Sequence, residues 1–279
     1  MPKPLFLGYH SEKVIVNRPA ILGCPLDLTS TYRGGSDVAP PAIRISSDSI
    51  ETYCPYLDRD LADFPFSDLG DIEFSGTSLE EKLTEIRSGV EEILQQGGMP
   101  FCVGGEHTVT LPIIQAIRKY HNNFVVLHLD AHSDLRDSYE GQRINHSTVI
   151  RRVVELVGHE NLVQFGIRSG TREEFQWINK HHVMADFRPG MERALLNRIA
   201  ERQVYLSLDL DVLDPSCFPG VGNPEAGGWS YNLMERFIRF LKNVDIIGLD
   251  VVELMPVIDK SEMSSITAAK IIRSLLLIC

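Results

Sequence analysis

The chain has 279 residues, of which 43% are hydrophobic and 23% charged, an ordinary globular composition that supplies a core and excludes disorder as the main state. Lysines and arginines number 27 against 38 acidic residues, a formal net charge of −11; such a balance repels phosphate backbones and argues against nucleic acid as a partner. No uncharged stretch approaches the ~20 residues that cross a bilayer, and the N-terminal MPKPLFLGYHSEK lacks a sustained apolar region, so a soluble cytoplasmic protein without a membrane partner is expected.

In chain order, short apolar runs alternate with segments of helical period. Strands are expected over 20–27 (AILGCPLD), 64–71 (FPFSDLGD), 100–105 (PFCVGG), 124–130 (FVVLHLD), 162–167 (LVQFGI), 182–186 (HVMAD), 204–211 (VYLSLDLD) and 244–254 (VDIIGLDVVEL). The clearest helix spans 78–96: SLEE reads as a capping box, Leu79, Leu83, Ile86, Val90 and Ile93 recur at helical spacing, and Gly97 and Gly98 end it. Further helices are expected near 108–120, 147–157, 171–180, 190–201, 231–242 and 262–278, while 30–44 (STYRGGSDVAPPAIR) is the longest turn-rich stretch. Strand runs that are apolar at consecutive positions belong in a parallel sheet with helices on both faces. The fold class is therefore a three-layer α/β/α sandwich with a parallel sheet of about eight strands, read as one domain over 1–279 because no linker or repeat interrupts the alternation. The five cysteines (Cys24, Cys54, Cys102, Cys217, Cys279) are scattered and odd in number, as for free buried thiols.

Unusual polar residues cluster where such sheets place their sites, at the carboxyl ends of strands. GGEH carries Glu106 and His107, HLDAHSDL carries Asp130, His132 and Asp134, and SLDLDVLDP carries Asp209 and Asp211. Taken alone, GGEH also reads as a turn opening a helix, DAHSD as a solvated capping loop, and Asp214–Pro215 as a turn. Asp209 and Asp211 inside an apolar run are costly without a partner, and the joint occurrence favours a ligand set. Residues two apart on a strand share a side, so Asp130 with His132, and Asp209 with Asp211, can each aim a pair of donors at a common point. Two imidazoles and four carboxylates exceed the needs of one ion. Two divalent cations ~3.5–4 Å apart would offset the repulsion and acidify a shared water. Oxygen-rich ligands with some imidazole and no thiolate suit manganese or another hard to borderline ion better than structural zinc.

The combination of GGEH, HLDAHSDL, SLDLDVLDPSCFPGVGNPEAGG and GLDVVELMP resembles the ureohydrolase family of arginases and agmatinases over nearly the whole chain. The resemblance implies a parallel-sheet α/β fold, two Mn²⁺ per subunit held by His107, Asp130, His132, Asp134, Asp209 and Asp211, and hydrolysis of a small cationic guanidino substrate to urea and an amine. It also implies a proton shuttle at His146 (INHSTVIR), a guanidinium-gripping acid at Glu253, a second role for Asp134 in orienting the attacking water, and a trimeric or hexameric homo-oligomer. Asp250 is read as structural. The aspartate that in arginases follows the G-I-R segment is replaced by Ser169 in GIRSG. TYRGGSDVAPPAIR, CPYLDRDL, YEGQRINHST and NPEAGG all look agmatinase-like, so the expected activity is agmatine to putrescine and urea. Asn223, where threonine is common, leaves open aminopropylagmatine, guanidinobutyrate or arginine. A phosphatase-like two-metal hydrolase would bring Arg or Lys with its ligand motifs, which these lack; a non-catalytic relative would have lost ligands, and none of the six is lost.

Overall fold

A computed structural model describes residues 4–8, 13–199 and 202–279. In chain order the elements are β1 (Pro19–Cys24), α1 (Ala39–Ser47), β2 (Tyr53–Cys54), β3 (Arg59–Asp60), β4 (Ser67–Asp71), α2 (Leu79–Gln95), β5 (Met99–Gly104), α3 (Thr110–Ile117), β6 (Phe124–Leu129), α4 (Val149–Val157), β7 (Leu162–Phe165), α5 (Arg172–His181), α6 (Glu192–Ile199), β8 (Gln203–Asp209), α7 (Tyr231–Leu241), β9 (Ile246–Val252) and α8 (Met263–Leu276). Seven strands form one parallel sheet in the order β4-β1-β5-β9-β8-β6-β7, and β2 and β3 make a separate antiparallel ribbon.

β6 shows why its run is apolar at every position but His128. Phe124 and Val126 pack into the core beneath α2, α3, α4 and α5, whereas Val125, Leu127 and Leu129 pack into the core beneath α1, α6, α7 and α8. The strand pleat sends alternate residues to opposite faces, and both faces are covered, so neither can be polar at low cost. Full burial of each such side chain contributes roughly 1.5–3 kcal/mol. The result is the three-layer sandwich expected.

Among the described residues the sheet has seven strands rather than eight. HVMAD (182–186) makes a single parallel bridge, Gln164 to Met184, beside β7. His182 ends α5 in the left-handed region, and only Val183 and Ala185 exchange backbone hydrogen bonds with Gln164 before the chain turns away, too short a ladder for a strand. The stretch 30–44 is also only partly a turn: Ala39–Ser47 is helical, with Pro40 and Pro41 in its first turn, where a missing N–H costs nothing. The helix expected from 108 begins as a 3-10 turn at His107–Val109 and becomes α3 at Thr110. The capping box on α2 forms as read, with Ser78 accepting from the Glu81 N–H. The last two residues of the helix expected over 190–201 lie outside the described residues.

The order of strands places β5, β9, β8 and β6 side by side, with the carboxyl end of each bearing polar residues. Gly105 lets the exits of β1 and β5 cross closely: a Cβ there would meet the Leu26 carbonyl oxygen at 1.9 Å. The crossing is fixed by Gly105 N–H donating to Cys24 O and Glu106 N–H to Leu26 O.

Candidate functional site

His107 leaves β5 fully buried, its Nε2 3.0 Å from the Ser207 hydroxyl on β8. That hydroxyl donates to Asp250 Oδ1 at 2.9 Å, and the Tyr205 hydroxyl donates to Asp250 Oδ2. Ser207 has one proton and spends it on Asp250, so it accepts from His107, and the proton of His107 sits on Nε2. In the neutral ring, the form that can ligate a cation, the other nitrogen, Nδ1, is then a bare lone pair. It faces Asp134 Oδ2 at 3.1 Å, Asp130 Oδ2 at 3.2 Å and Asp209 Oδ2 at 3.3 Å. Although these distances are short, none of the three oxygens is aligned with Nδ1 as a hydrogen bond. A lone pair ringed by carboxylate oxygens is repulsive unless a cation lies among them, and the donor set fits one.

A second pole adjoins it. His132 Nδ1 lies 2.8 Å from Asp211 Oδ2 and 3.6 Å from Asp130 Oδ1. The ligating atoms of Asp130, His132 and Asp211 lie within 4.8 Å of one another, as do those of His107, His128, Asp130 and Asp134, so Asp130 is shared between the groups. His128 plays a different part from the other two imidazoles. Gln164 Nε2, which can only donate, points at His128 Nδ1 at 3.0 Å, so His128 carries its proton on Nε2 and donates it to Asp130 Oδ2 at 2.9 Å.

The electrostatics follow from crowding without counter-charge. Burial, reinforced by neighbouring carboxylates, pushes Asp209 well above the ordinary range, raises Asp134 and brings Asp211 to about 6. Burial acts the same way on Asp130, yet three imidazoles surround it and hold it well below that range. For His132 burial opposes the charge, but Asp211 and Asp130 outweigh it and raise the imidazole to about 12. The cluster attracts positive charge, which divalent cations would supply in place of protons.

The local backbone is arranged for this. Asp211 and Asp134 lie past the strand ends, so turns rather than the pleat aim them: Asp209 accepts from the Asp211 N–H at 2.8 Å at the head of a 3-10 turn over 210–212. Asp134 (φ 52°) and Glu253 (φ 65°) adopt the left-handed region without being glycine. Such conformations cost about 1–3 kcal/mol each and recur at functional sites. Glu253 Oε1 accepts from the His107 N–H at 2.8 Å and lies 3.5 Å from His146 Nδ1. His146 is held by Thr31 Oγ1, 3.0 Å from its Nε2, and by Thr29 Oγ1, which accepts its N–H at 2.9 Å. Burial opposes its charge, but Glu253, Asp134 and Glu106 together raise it to about 9. Glu106 itself turns toward Thr29 and not into the cluster.

The structure thus gathers all eight residues singled out from the sequence. Seven of them (His132, Asp134, His146, Asp209, Asp211, Glu253 and, through the cluster, Asp130) meet at or beneath one cavity of about 500 Å³, and His107 lies just under its floor. What the motifs did not reveal is the layer below. Gln164, His128, Ser207 and Asp250 stand on one register line across β7, β6, β8 and β9, all buried. This polar rung orients His107 and Asp130 from behind. The signal was present as a polar residue inside each of four largely apolar strands, but only the register aligns them. Also unflagged was Glu225, at the cavity rim, whose Oε1 accepts from the Ser169 hydroxyl at 2.9 Å.

Residues 17–278 match the sequence profile of the arginase family. The chain is 42% identical to an agmatinase of Bacillus subtilis (strain 168), covering 97% of both chains. It is 34% identical to a guanidinobutyrase of Pseudomonas aeruginosa over 92% of this chain and 85% of that one. Its structure is similar to that of the agmatine ureohydrolase of Thermoplasma volcanium, with a TM-score of 0.86 and 29% identity, covering 100% of this chain and 94% of the other.

Proposed function

The chain belongs to the arginase family, and from that premise we propose that it is an agmatinase, hydrolysing agmatine to putrescine and urea. The observation that carries the reading is the His107 lone pair, fixed by Ser207 and ringed by Asp130, Asp134 and Asp209. We assign His107, Asp130, His132, Asp134, Asp209 and Asp211 as ligands of two Mn²⁺, within a single catalytic domain over 1–279 of a cytoplasmic homo-oligomer. When bound, such a pair supplies Lewis acidity and an acidified water.

The side chains divide the remaining work. Glu253, pinned by the His107 N–H, presents a planar carboxylate to a planar guanidinium, which favours two parallel hydrogen bonds. In the reaction, water adds to the guanidino carbon, the bond from that carbon to the chain nitrogen breaks, and the departing amine gains a proton. His146, bordering the cavity with its Nδ1 3.5 Å from Glu253 Oε1, is placed to give that proton. Asp134, within the cluster and bordering the cavity, is placed to receive the proton from the water.

Guanidinobutyrate and aminopropylagmatine are the competing substrates, since a relative of 34% identity is named for each. Urea release with added manganese should be measured against agmatine, guanidinobutyrate, aminopropylagmatine and arginine. The highest kcat/KM is expected for agmatine. A preference for any of the other three overturns the substrate assignment, and no urea from any of the four overturns the enzyme assignment.

A further inference from the structure

Six acidic side chains border the cavity, and five are accounted for. Asp134, Asp209 and Asp211 belong to the cluster, Glu253 is bonded to the His107 N–H, and Glu174 accepts from Ser133 Oγ, the Leu135 N–H and the Thr171 N–H. The sixth is Glu225. Among the described residues it lies within 4 Å of no lysine, arginine or histidine nitrogen; its carboxylate contact is the Ser169 hydroxyl at 2.9 Å. Its backbone is fastened as well. The Glu225 carbonyl accepts from Arg168 Nη2 at 2.8 Å, and the Gly227 and Gly228 N–H groups donate to Asp214 at 2.8 and 2.9 Å. A carboxylate held in place at a cavity rim, with no cation of its own, is a preformed seat for a ligand cation.

Of the basic side chains lining the cavity, His132 faces Asp211 and His146 faces Glu253, and the third, Arg136, is engaged as well. Its guanidinium lies over the Tyr139 ring at 5.2 Å, and its Nε is 3.6 Å from Glu174 Oε2. The net preference of the rim is therefore for a positive substrate tail. Agmatine carries two cations, a guanidinium and, four methylenes away, an ammonium. Glu253 takes the first, and nothing in the cluster takes the second.

We propose that Glu225 determines specificity by binding the terminal ammonium of the substrate, with Ser169 as the residue that positions its carboxylate; the assignment rests on the agmatinase reading above. A charge-assisted hydrogen bond to a tail that does not react acts on binding, so its loss falls mainly on KM.

The test compares agmatine, 4-guanidinobutyrate and butylguanidine, which share a guanidino group and differ in a cationic, anionic or uncharged tail. In Glu225→Gln the agmatine-to-butylguanidine ratio of kcat/KM should fall about 10- to 100-fold, and the discrimination against 4-guanidinobutyrate should shrink with it. Ser169→Ala should move the same ratio in the same direction by a smaller factor. Equal losses on all three substrates, leaving the ratios within about twofold of the unaltered protein, would mark Glu225 as merely structural and overturn the proposal. Calorimetric binding of agmatine to the metal-free protein makes the comparison without turnover, and the Glu225→Gln variant should bind it more weakly. Wild-type protein that releases no urea, yet needs Glu225 to bind agmatine, sinks the enzyme reading alone; active protein with unmoved ratios sinks the Glu225 assignment alone.

Discussion

Replacing Ser207 with alanine tests the polar rung without touching any proposed ligand. The change removes the hydrogen bonds at 3.0 Å from His107 Nε2 and at 2.9 Å to Asp250 Oδ1. His107 is left with a buried donor unmade, at about 1–3 kcal/mol, while Asp250 keeps Tyr205. The larger consequence concerns the tautomer. With Ser207 gone, the ring can move its proton to Nδ1, where three carboxylates welcome it and where it competes with a cation. Loss of such a supporting partner costs about 10- to 100-fold in metal affinity, or about 1.4–2.8 kcal/mol at 1.4 kcal/mol per tenfold. Calorimetric titration with Mn²⁺ measures this directly, and urea unfolding of the metal-free protein gives the stability loss separately. An unaltered Mn²⁺ affinity in a folded Ser207→Ala protein would refute the tautomer argument.

Asp209→Asn keeps the shape of the side chain but removes a negative charge from the cluster, so bound manganese and urea release should fall together; undiminished turnover with depleted metal would contradict the ligand role. His146→Gln should retain metal content while kcat drops about 10²- to 10⁴-fold, and a wild-type kcat would remove His146 from the proton path. Gly105→Ala drives a Cβ against the Leu26 carbonyl and should destabilise by about 1–3 kcal/mol or more, read as a lower unfolding midpoint; an unshifted midpoint would show that the crossing can relax. Asp259 gives a pH signature away from the site. Burial raises its carboxyl, but hydrogen bonds from Ser261 and Ser264 outweigh this and hold it at about 2, below the usual 3.8. A depressed carboxyl stabilises fully above its unfolded value and loses that contribution as pH falls, here between about 4 and 2. Asp259→Asn should flatten the stability profile in that window, and an identical slope in both proteins would count against it.

The parts of the site that lie in contiguous motifs were legible in the sequence because burial makes them expensive. Asp209 inside VYLSLDLD, or Asp130 after FVVLHL, has no cheap explanation in an apolar run, so each announces a partner. The reading failed where partners come from different strands. Ser207, His128, Gln164 and Asp250 are single polar residues more than 30 positions apart in chain order, and only sheet register shows that they touch. Glu225 was hidden for the same reason: its contact with Ser169 spans 56 residues. Among the elements, α1 was obscured by Pro40 and Pro41, which break a helix interior but suit a first turn. HVMAD had strand composition, but α5 ends so close before it that only one bridge forms.

On the ligand assignment proposed above, one sheet edge assembles a pair of cation sites that share Asp130. Crystals grown with manganese and measured at its absorption edge test it most directly. Two anomalous peaks per chain are expected, one against His107 Nδ1 and one against His132 Nδ1, with Asp130 touching both. One peak alone, or peaks away from these imidazoles, would contradict it.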